Sequence, residues 1–313
     1  MTKETHGRIV VVGSLNADLT IYCERLPQPG ETVHGTGFAV NPGGKSANQA
    51  VAASLLGGAV SLIGAVGDDS NGEMLLASAA GAGVDISHVR TSQSAATGVA
   101  VIAVDAQGEN NIIISAGANG TLAPADVDAS ADAFDGASVV CLCLEVSLDT
   151  VEAAARTGHD AGATVLLNLS PYGEIPQSLA DLTDVLLINA HEASLFLGSG
   201  EMPDAEAYDA AWDQVRERFA ERGLQRVLVT LGANGSVVLD STAARADRVT
   251  RIAPVTVHAV DTTGAVAARL AARGPLAEAA AFASVAAALA VTRKGTQAAY
   301  AEVADVERMR GRG

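Results

Sequence analysis

Short apolar runs rich in Val, Ile and Leu alternate along the chain with longer Ala-rich segments of helical periodicity. The runs predict strands and the segments predict helices. The predicted strands are 8–13, 60–65, 139–144, 164–169, 185–188 and 226–230, and the predicted helices are 46–56, 72–81, 148–161, 205–222 and 276–291. This alternation favours an α/β fold, a doubly wound and mostly parallel sheet with helices on both faces. Ligands of such folds bind beyond the carboxyl ends of the strands.

Two segments interrupt the alternation, at about 19–38 and 97–115. The second contains two β-rich runs, 98–104 and 110–114, joined by a polar turn, which is the pattern of a hairpin. A small isolated sheet is marginally stable and exposes an edge. We therefore expect these strands to form a lid that covers a cleft, pairs with a second copy, or both. The chain is interpreted as one domain, 1–313, with the lid inserted in two pieces.

Composition narrows the class of protein. Hydrophobic residues make up 49% of the 313 residues and aromatic residues only 3%, so the core must be built from Ala, Val, Leu and Ile, which suits a covered parallel sheet. The net charge of -16 argues against a protein that coats nucleic acid or an anionic membrane. No apolar run approaches the ~18–20 residues of a membrane span, and the N-terminus does not resemble a signal peptide. We expect a cytoplasmic protein.

The three cysteines, Cys23, Cys141 and Cys143, give no disulfide framework. Cys141 and Cys143 lie two residues apart in a predicted strand, so both sulfurs face the same side. A zinc pair would need a second Cys or His pair with ligand spacing, and the sequence offers none. Buried strand cysteines are the favoured interpretation.

Polar residues follow the first predicted strand. Asn16 and Asp18 point to the same side if the chain stays extended, and an amide beside a carboxylate can clamp vicinal hydroxyls. The alternative is an Asx-type turn that closes the strand, and spacing alone favours that alternative.

A second polar segment opens a predicted helix. Gly43 and Gly44 allow the backbone to approach a ligand closely, and Lys45 and Asn48 then lie near the positive end of the helix. A Walker A loop would need a glycine at position 39, where the chain has Ala39, so a P-loop is rejected.

Three later strand ends also carry polar residues. Glu145 follows one strand, and Asn189 and Glu192 follow another. The Asn-x-x-Glu spacing suits outer-shell binding of a hydrated Mg²⁺ with phosphate, but a helix N-cap with an acidic first turn explains it equally well. The Gly-x-x-Gly turn at 232–235 could lie against a nucleotide, although hairpins use the same pattern.

The segment 261–265 reads Asp-Thr-Thr-Gly-Ala and resembles the start of a phosphate-binding turn, with small residues entering a helix. Phosphoryl transfer also needs a carboxylate that takes a proton from the attacking hydroxyl. The next acid after Asp261 is Glu278, which is too distant along the chain to belong to this turn.

Seven motifs, in this order, resemble the ribokinases among the PfkB-type sugar kinases over nearly the whole chain. They are GSLNAD (13–18), PGGKSANQA (42–50), GDD with the following NG (67–72), NAHE (189–192), TLGANG (230–235), DTTGA (261–265) and AVTRKGTQ (290–297). The resemblance implies transfer of the γ-phosphoryl group of ATP to the 5-hydroxyl of D-ribose, with Mg²⁺, activation by K⁺, and a homodimer formed through the lid. A kinase for another sugar or for a nucleoside is the alternative; a dinucleotide dehydrogenase is disfavoured, because no GxGxxG follows the first strand.

The resemblance also implies roles for single residues. Sugar binding is implied for Asn16, Asp18, Gly44, Lys45, Asn48 and Glu145. Binding of Mg²⁺ and phosphate is implied for Asn189 and Glu192, and contact with the nucleotide for Thr230, Gly232 and Gly235. A monovalent cation, typically K⁺, is implied at Asp261, Thr263 and the backbone from Arg293 through Gly295 to Gln297. The anion hole is implied at the backbone of Gly264 and Ala265.

The chain departs from the family pattern at three places. Ser46 replaces a usual Gly, and Ser284 stands where a His often lies near the adenine. After Ala265 about seven residues, roughly two helical turns, are missing together with the catalytic Asp. The remaining helix, 266–273, would be only ~12 Å long and would leave part of the core bare.

Two explanations of the short segment stay open. We favour the explanation that the protein contains about seven residues here that the printed sequence lacks. An intact mass of 31.5 kDa, the mass of the printed sequence, would refute this explanation. The alternative is a catalytically silent protein of this fold that binds a sugar or a nucleotide.

Overall fold

The computed structural model describes residues 7–198, 200–254, 262–290 and 297–310. The predicted cation ligands Asp261, Arg293 and Gly295 lie outside these ranges. Within them, none of the helices combines the length and the apolar character needed to cross a bilayer.

The strands of the described residues are β1 (Arg8–Val12), β2 (Asn16–Cys23), β3 (Gly35–Gly43), β4 (Ala59–Gly67), β5 (Val89–Ser92), β6 (Gly98–Val104), β7 (Asn110–Ser115), β8 (Ala137–Cys143), β9 (Thr164–Asn168), β10 (Val185–Asn189), β11 (Arg226–Thr230), β12 (Ser236–Asp240) and β13 (Val249–Ile252). The helices are α1 (Lys45–Leu55), α2 (Ser70–Gly81), α3 (Pro124–Asp128), α4 (Leu148–Asp160), α5 (Gln177–Leu182), α6 (Ala190–Leu197), α7 (Asp209–Ala220), α8 (Thr263–Ala271), α9 (Leu276–Ala290) and α10 (Val303–Arg310).

The main sheet has nine strands in the order β13-β12-β11-β10-β9-β8-β1-β4-β5. All its pairs are parallel except those of β12 and β13, which add an antiparallel edge. The strand β1 illustrates the reason for burial on both faces, since Ile9 and Val11 enter one hydrophobic core while Val10 and Val12 enter the other. The predicted α/β fold, a mostly parallel sheet covered on both faces, is confirmed.

The lid is a second sheet with the order β3-β2-β6-β7. Its β6–β7 hairpin occurs where the sequence predicts it. The lid strands reach further towards the body than the predicted bounds, because Asn16 at the start of β2 pairs with Gly43 at the end of β3. The two polar motifs at 16–18 and 43–48 therefore meet at the base of the lid.

The predicted helix 205–222 is wrong at its first turn, since α7 begins only at Asp209. The preceding loop is held by Arg251 of β13, whose guanidinium donates to the carbonyl of Ala205 at 2.8 Å and also to the carbonyl of Ala207. These contacts with a residue more than 40 positions away in sequence override the local helical preference of the segment before Asp209. Cys141 and Cys143 are fully buried on β8, as predicted for strand cysteines.

The expectation of a bare core near Ala265 is also wrong. Helix α8 begins at Thr263 and continues through the junction, where the N–H of Val266 donates to the carbonyl of Thr262 at 3.0 Å. Its residues Ala265 to Ala268 are at most 3% exposed and pack against α1 and α9. The residues implied for the anion hole thus also fill the core.

Candidate functional site

The carboxyl ends of β1, β8, β10 and β11 meet at one edge of the parallel sheet, and the predicted site residues follow these ends. They fall into two groups. One group lies at the base of the lid, around β2 and the start of α1. The other lies where β10 and β11 end.

Asn16 and Asp18 lie on β2 and face the same side of the lid, so this segment is an extended strand and not a turn. Asn16 is 3% exposed, whereas Asp18 is half-buried. The carboxylate of Asp18 lies over Gly43, where a Cβ atom would come within 2.2 Å of its Oδ2. Glycine at position 43 is therefore required for the carboxylate to lie against β3.

The electrostatic environment of Asp18 is unfavourable to its charge. Burial, and secondarily the nearby carboxylate of Glu145, raise the pKa of Asp18 from 3.8 to about 6, against the opposing effect of Lys45. At neutral pH the carboxylate is still mostly ionised and accepts hydrogen bonds from hydroxyl groups. A partly buried carboxylate with a raised pKa, beside other charged groups, is typical of a functional site.

Glu145 holds the start of helix α1. The N-cap, Gly44, has a φ of 91° and carries no side chain that could accept a hydrogen bond. Oε2 of Glu145 takes that place, since it accepts from the N–H of Lys45 at 3.0 Å and from the hydroxyl of Ser14 at 2.5 Å. A carboxylate at this position also interacts favourably with the helix dipole. Ser14 joins the site without having been predicted.

Asn48 is held by a residue from the C-terminal motif. Nε2 of Gln297 donates to Oδ1 of Asn48 at 3.0 Å, and Oε1 of Gln297 accepts from the hydroxyl of Ser78 at 2.8 Å. Gln297 was predicted to contribute only backbone near a cation, so this side-chain contact is new. It links α1, α2 and the end of the chain beside the predicted sugar ligands.

Asn119 is a further site residue that the sequence analysis missed. It is 1% exposed, in a short 3-10 turn that follows β7. Its Oδ1 accepts from the N–H of Leu15 at 3.0 Å, and its Nδ2 donates to the carbonyl of Leu15 at 2.9 Å and to Oδ1 of Asn16 at 2.8 Å. The turn after the last lid strand is thereby tied to the start of the first.

The GDD motif acts structurally at the lid. Asp69 caps α2 by accepting from the N–H of Gly72 at 2.9 Å. The same carboxylate accepts from the N–H of Thr97 at 2.8 Å and from its hydroxyl at 2.7 Å, immediately before β6. These hydrogen bonds lower the pKa of Asp69, with the backbone N–H of Thr97 as the largest cause. The motif therefore anchors a lid strand to the body.

At the other group, Asn189 and Glu192 form a capping box at the start of α6. Oδ1 of Asn189 accepts from the N–H of Glu192 at 2.8 Å, and Oε2 of Glu192 accepts from the N–H of Asn189 at 3.1 Å. The helix-cap alternative is thus what the structure contains, and the metal role stays a prediction. His191 between them is exposed.

A cavity of about 440 Å³ opens beside this capping box. Its lining includes Asn189, Thr230 and Gly232, together with residues of the loop before α7. Gly235 has a φ of 85° and packs against β13, where a Cβ atom would come within 2.2 Å of the carbonyl oxygen of Ile252. The Gly-x-x-Gly turn is therefore also the hairpin turn that joins β11 to β12.

The cavity is large enough for a small-molecule ligand, and a nucleotide there stays a prediction. The volume lies within the range of small-molecule sites. In the described part of the chain no three His, Cys, Asp or Glu side chains come together to hold a metal ion. A Mg²⁺ ion here would accordingly be held mainly by phosphate oxygens and water, as is usual for this ion.

Thr263, Gly264 and Ala265 form the first turn of α8, and all three are buried. A Cβ atom on Gly264 would come within 2.5 Å of the carbonyl oxygen of Gln49 in α1, so the two helices touch at this glycine. The N–H groups of a first helical turn are not used within the helix. An anion hole at Gly264 and Ala265 would rest on those groups and stays a prediction, as does the cation role of Thr263.

Comparisons with known proteins agree with this architecture. The pfkB family of carbohydrate kinases matches residues 7–303. A ribokinase of Schizosaccharomyces pombe is 33% identical over 312 residues, which cover 96% of this chain and 96% of that protein. A deoxyribokinase of Salmonella typhi is 33% identical over 303 residues, which cover 94% of this chain and 96% of that protein.

The structure of Arabidopsis thaliana ribokinase complexed with ribose and ATP superposes with a TM-score of 0.86 at 28% identity, and the match covers 97% of this chain and 99% of that one. The family match, the two relatives and the solved structure each cover nearly the whole length of this chain. The chain belongs to the pfkB family of carbohydrate kinases, which transfer a phosphoryl group to an alcohol.

Proposed function

We propose that the protein is an ATP-dependent sugar kinase that phosphorylates D-ribose at its 5-hydroxyl to give ribose 5-phosphate. The observation that carries the proposal is the polar cleft at the base of the lid, where Asn16 and Asp18 lie beside Lys45 and Glu145. A relative of the same fold binds ribose and ATP.

In this proposal the residues of the cleft hold and orient the sugar. Asp18 accepts hydrogen bonds from sugar hydroxyls, while Asn16 and Asn48 fix their direction. Glycine at position 44 lets the start of α1 lie against β2 beside these residues, because a Cβ there would come within 2.7 Å of the N atom of Asn16. The lid excludes water from the cleft, which favours transfer to the sugar over hydrolysis.

The cavity between α6 and the β11–β12 turn would take the nucleotide. Thr230 and Gly232 would line it, whereas Gly235 ends their turn outside the lining of the cavity. Asn189 in the lining, together with its capping partner Glu192, would orient phosphate and a hydrated Mg²⁺. ATP supplies the phosphoryl group, Mg²⁺ neutralises its charge, and K⁺ is proposed at Asp261, Thr263, Arg293 and Gly295. The N–H groups of Gly264 and Ala265 would stabilise charge on the transferred group.

Helix α8 has no acidic residue in its first turn. Phosphoryl transfer depends chiefly on positioning and on charge stabilisation, and a general base contributes roughly 10²–10⁴-fold. We therefore expect turnover to be slow by about that factor while sugar binding is intact. A catalytically silent sugar-binding protein is the limiting case of the same reasoning.

The outer face of the lid supports a homodimer. Ile21, Phe38, Val40, Val101 and Ile113 share the face opposite Asp18, and Phe38 and Ile113 are 64% and 73% exposed. An apolar patch of this kind is typical of a protein interface. We propose that two copies pair through this face in the cytoplasm, where ATP is available, and that neither nucleic acid nor a membrane is a partner.

Two measurements on the purified protein test the function: calorimetric binding of ribose, and release of ADP in the presence of ATP, Mg²⁺ and varied K⁺. Ribose-dependent ADP release supports the kinase, and ribose binding with no turnover at any K⁺ concentration supports the silent alternative. Failure to bind ribose would overturn the proposal. A panel with 2-deoxyribose, fructose and adenosine identifies a kinase for another substrate, which the deoxyribokinase relative makes worth testing.

Two further readouts complete the test. Asp18→Ala should abolish ribose binding, whereas the matched variant Asp132→Ala, at an exposed position, should not. An intact mass of 31.5 kDa would establish that Ala265 is joined directly to Val266, with no further residues between them.

A further inference from the structure

The orientation of the Asn119 amide is fixed by the backbone of Leu15. The N–H of Leu15 can only donate, so the atom of Asn119 that faces it must be Oδ1, at 3.0 Å. The carbonyl of Leu15 can only accept, so Nδ2 of Asn119 must face it, at 2.9 Å. The two backbone groups together exclude the flipped amide.

The orientation of the Asn119 amide in turn determines the orientation of the Asn16 amide. The second proton of the Asn119 Nδ2 group points at the side chain of Asn16 at 2.8 Å, so the facing atom of Asn16 must be its acceptor, Oδ1. A Cβ atom on Gly98 of β6 would come within 2.4 Å of that Oδ1, which places the oxygen on the β6 side of β2. The amide nitrogen of Asn16 must then point the other way.

The other side of β2 is the β3 side, where the carboxylate of Asp18 lies over Gly43. Gly43 is also the direct partner of Asn16 in the β2–β3 pair. The Nδ2 donor of Asn16 and the carboxylate acceptor of Asp18 therefore lie side by side. Among the described residues, the side-chain hydrogen bond found for Asn16 is the one that its Oδ1 accepts from Asn119, which leaves Nδ2 available to a ligand.

We propose that Asn119 is a positioning residue that sets the substrate specificity of the cleft for sugars with two adjacent hydroxyls. It does so by holding Asn16 with its donor, and not its acceptor, towards the sugar. One hydroxyl oxygen accepts from Asn16 while the two hydroxyls donate to Asp18. With Asn16 reversed, two acceptors would face the diol and one hydroxyl oxygen would lose its donor.

This inference rests on the proposed function for the identity of the diol. A sugar phosphorylated at its 5-hydroxyl must have that group free, so its ring is a furanose. In a ribofuranose every pair of adjacent hydroxyls includes the 2-hydroxyl. We therefore expect wild-type protein to bind ribose roughly tenfold to a hundredfold more tightly than 2-deoxyribose, the range for one hydrogen bond to a charged or well-placed group.

The test is calorimetric binding of ribose and of 2-deoxyribose, without ATP, so that it does not depend on turnover. In Asn119→Asp the carboxylate still accepts from the N–H of Leu15, but it loses the hydrogen bond to the Leu15 carbonyl. It also presents an acceptor to Asn16, so Nδ2 of Asn16 turns towards it and the Asn16 amide is reversed. The expected result is ribose binding weakened about tenfold, nearly unchanged binding of 2-deoxyribose, and a preference for ribose that falls towards one. The matched control Asn110→Asp, at the exposed tip of the lid, should keep the wild-type preference.

A second variant keeps the test informative if Asn119→Asp does not fold. In Asn16→Asp the Asn119 contacts are retained, but an acceptor replaces the donor that faces the sugar, so the preference for ribose should fall in the same way. Equal weakening of both sugars, or a preserved preference in a folded variant, would overturn the specificity role of Asn119. Wild-type protein that binds neither sugar would overturn the proposed function and this inference together.

Discussion

The raised pKa of Asp18 makes a prediction about stability that requires no assay of activity. Replacing this residue by Asn removes a charge that burial and Glu145 disfavour, while the shape of the side chain is kept. The difference between the ordinary 3.8 and about 6 corresponds to at most ~3 kcal/mol, at about 1.4 kcal/mol per tenfold change in proton affinity. Because Asp18 is only half-buried, solvent screening reduces the expected gain to ~1–2 kcal/mol.

The sign of the pH dependence follows from the same shift. The folded protein binds the Asp18 proton more strongly than the unfolded chain does, so its stability falls as pH rises through the window between 3.8 and about 6. The Asn variant does not titrate there. Asp18→Asn should thus be more stable than wild type at pH 8. At pH 5 the difference in stability between the two proteins should be about half of its value at pH 8.

Urea unfolding without sugar, followed at pH 5, 6, 7 and 8, measures this difference. Asp132→Asn, at an exposed position, is the matched control and should leave the free energy of unfolding unchanged at every pH. A variant less stable than wild type at pH 8 would refute the reasoning, because the carboxylate would then be stabilising. The gain should be accompanied by loss of ribose binding, since the same carboxylate is the proposed acceptor for the sugar.

Three other changes test separate parts of the structure. Asp69→Asn replaces one acceptor oxygen facing Thr97 and should destabilise the protein by ~1 kcal/mol in urea unfolding; no change would contradict the anchoring role. Ser14→Ala removes a hydrogen bond to Glu145 and should weaken ribose binding several-fold in calorimetry, and equal affinity would contradict its place in the site. Ile113→Asp places a charge on the outer face of the lid and should convert a dimer to a monomer in sedimentation experiments; a wild-type monomer would contradict the dimer.

The fold was largely predictable because its signals are local. Strands such as β1 and β8 are continuous apolar runs, and a run buried on both faces stands out from its flanking polar residues. The strands β12 and β13 were missed, since they have only five and four residues and β13 is half polar. The first turn of the predicted helix at 205 was wrong because Arg251, far away in sequence, holds that segment as a loop.

The geometry of the candidate site was predictable where two of its residues lie on one strand. Asn16 and Asp18 are two positions apart, so their common face follows from strand geometry alone. Ser14 and Glu145 are separated by 131 positions, and Leu15 and Asn119 by 104. No local pattern pairs residues at such distances, and a single buried Asn or Ser in a turn carries no mark of its role.

The proposed sugar site and the proposed phosphoryl site lie on different elements of this protein. The site that would hold the sugar is built by β2, β3, α1 and the end of β8, and the hydrogen bonds described for its residues join these elements to Ser14, Asn119 and Gln297. The turn that would serve the phosphoryl group is the first turn of α8, and there Gly264 packs against α1. A longer segment could place a separate turn at the phosphate before the packed helix begins, whereas here the same residues must do both. If both assignments are right, substitutions in the proposed sugar site should change ribose affinity without restoring phosphoryl transfer.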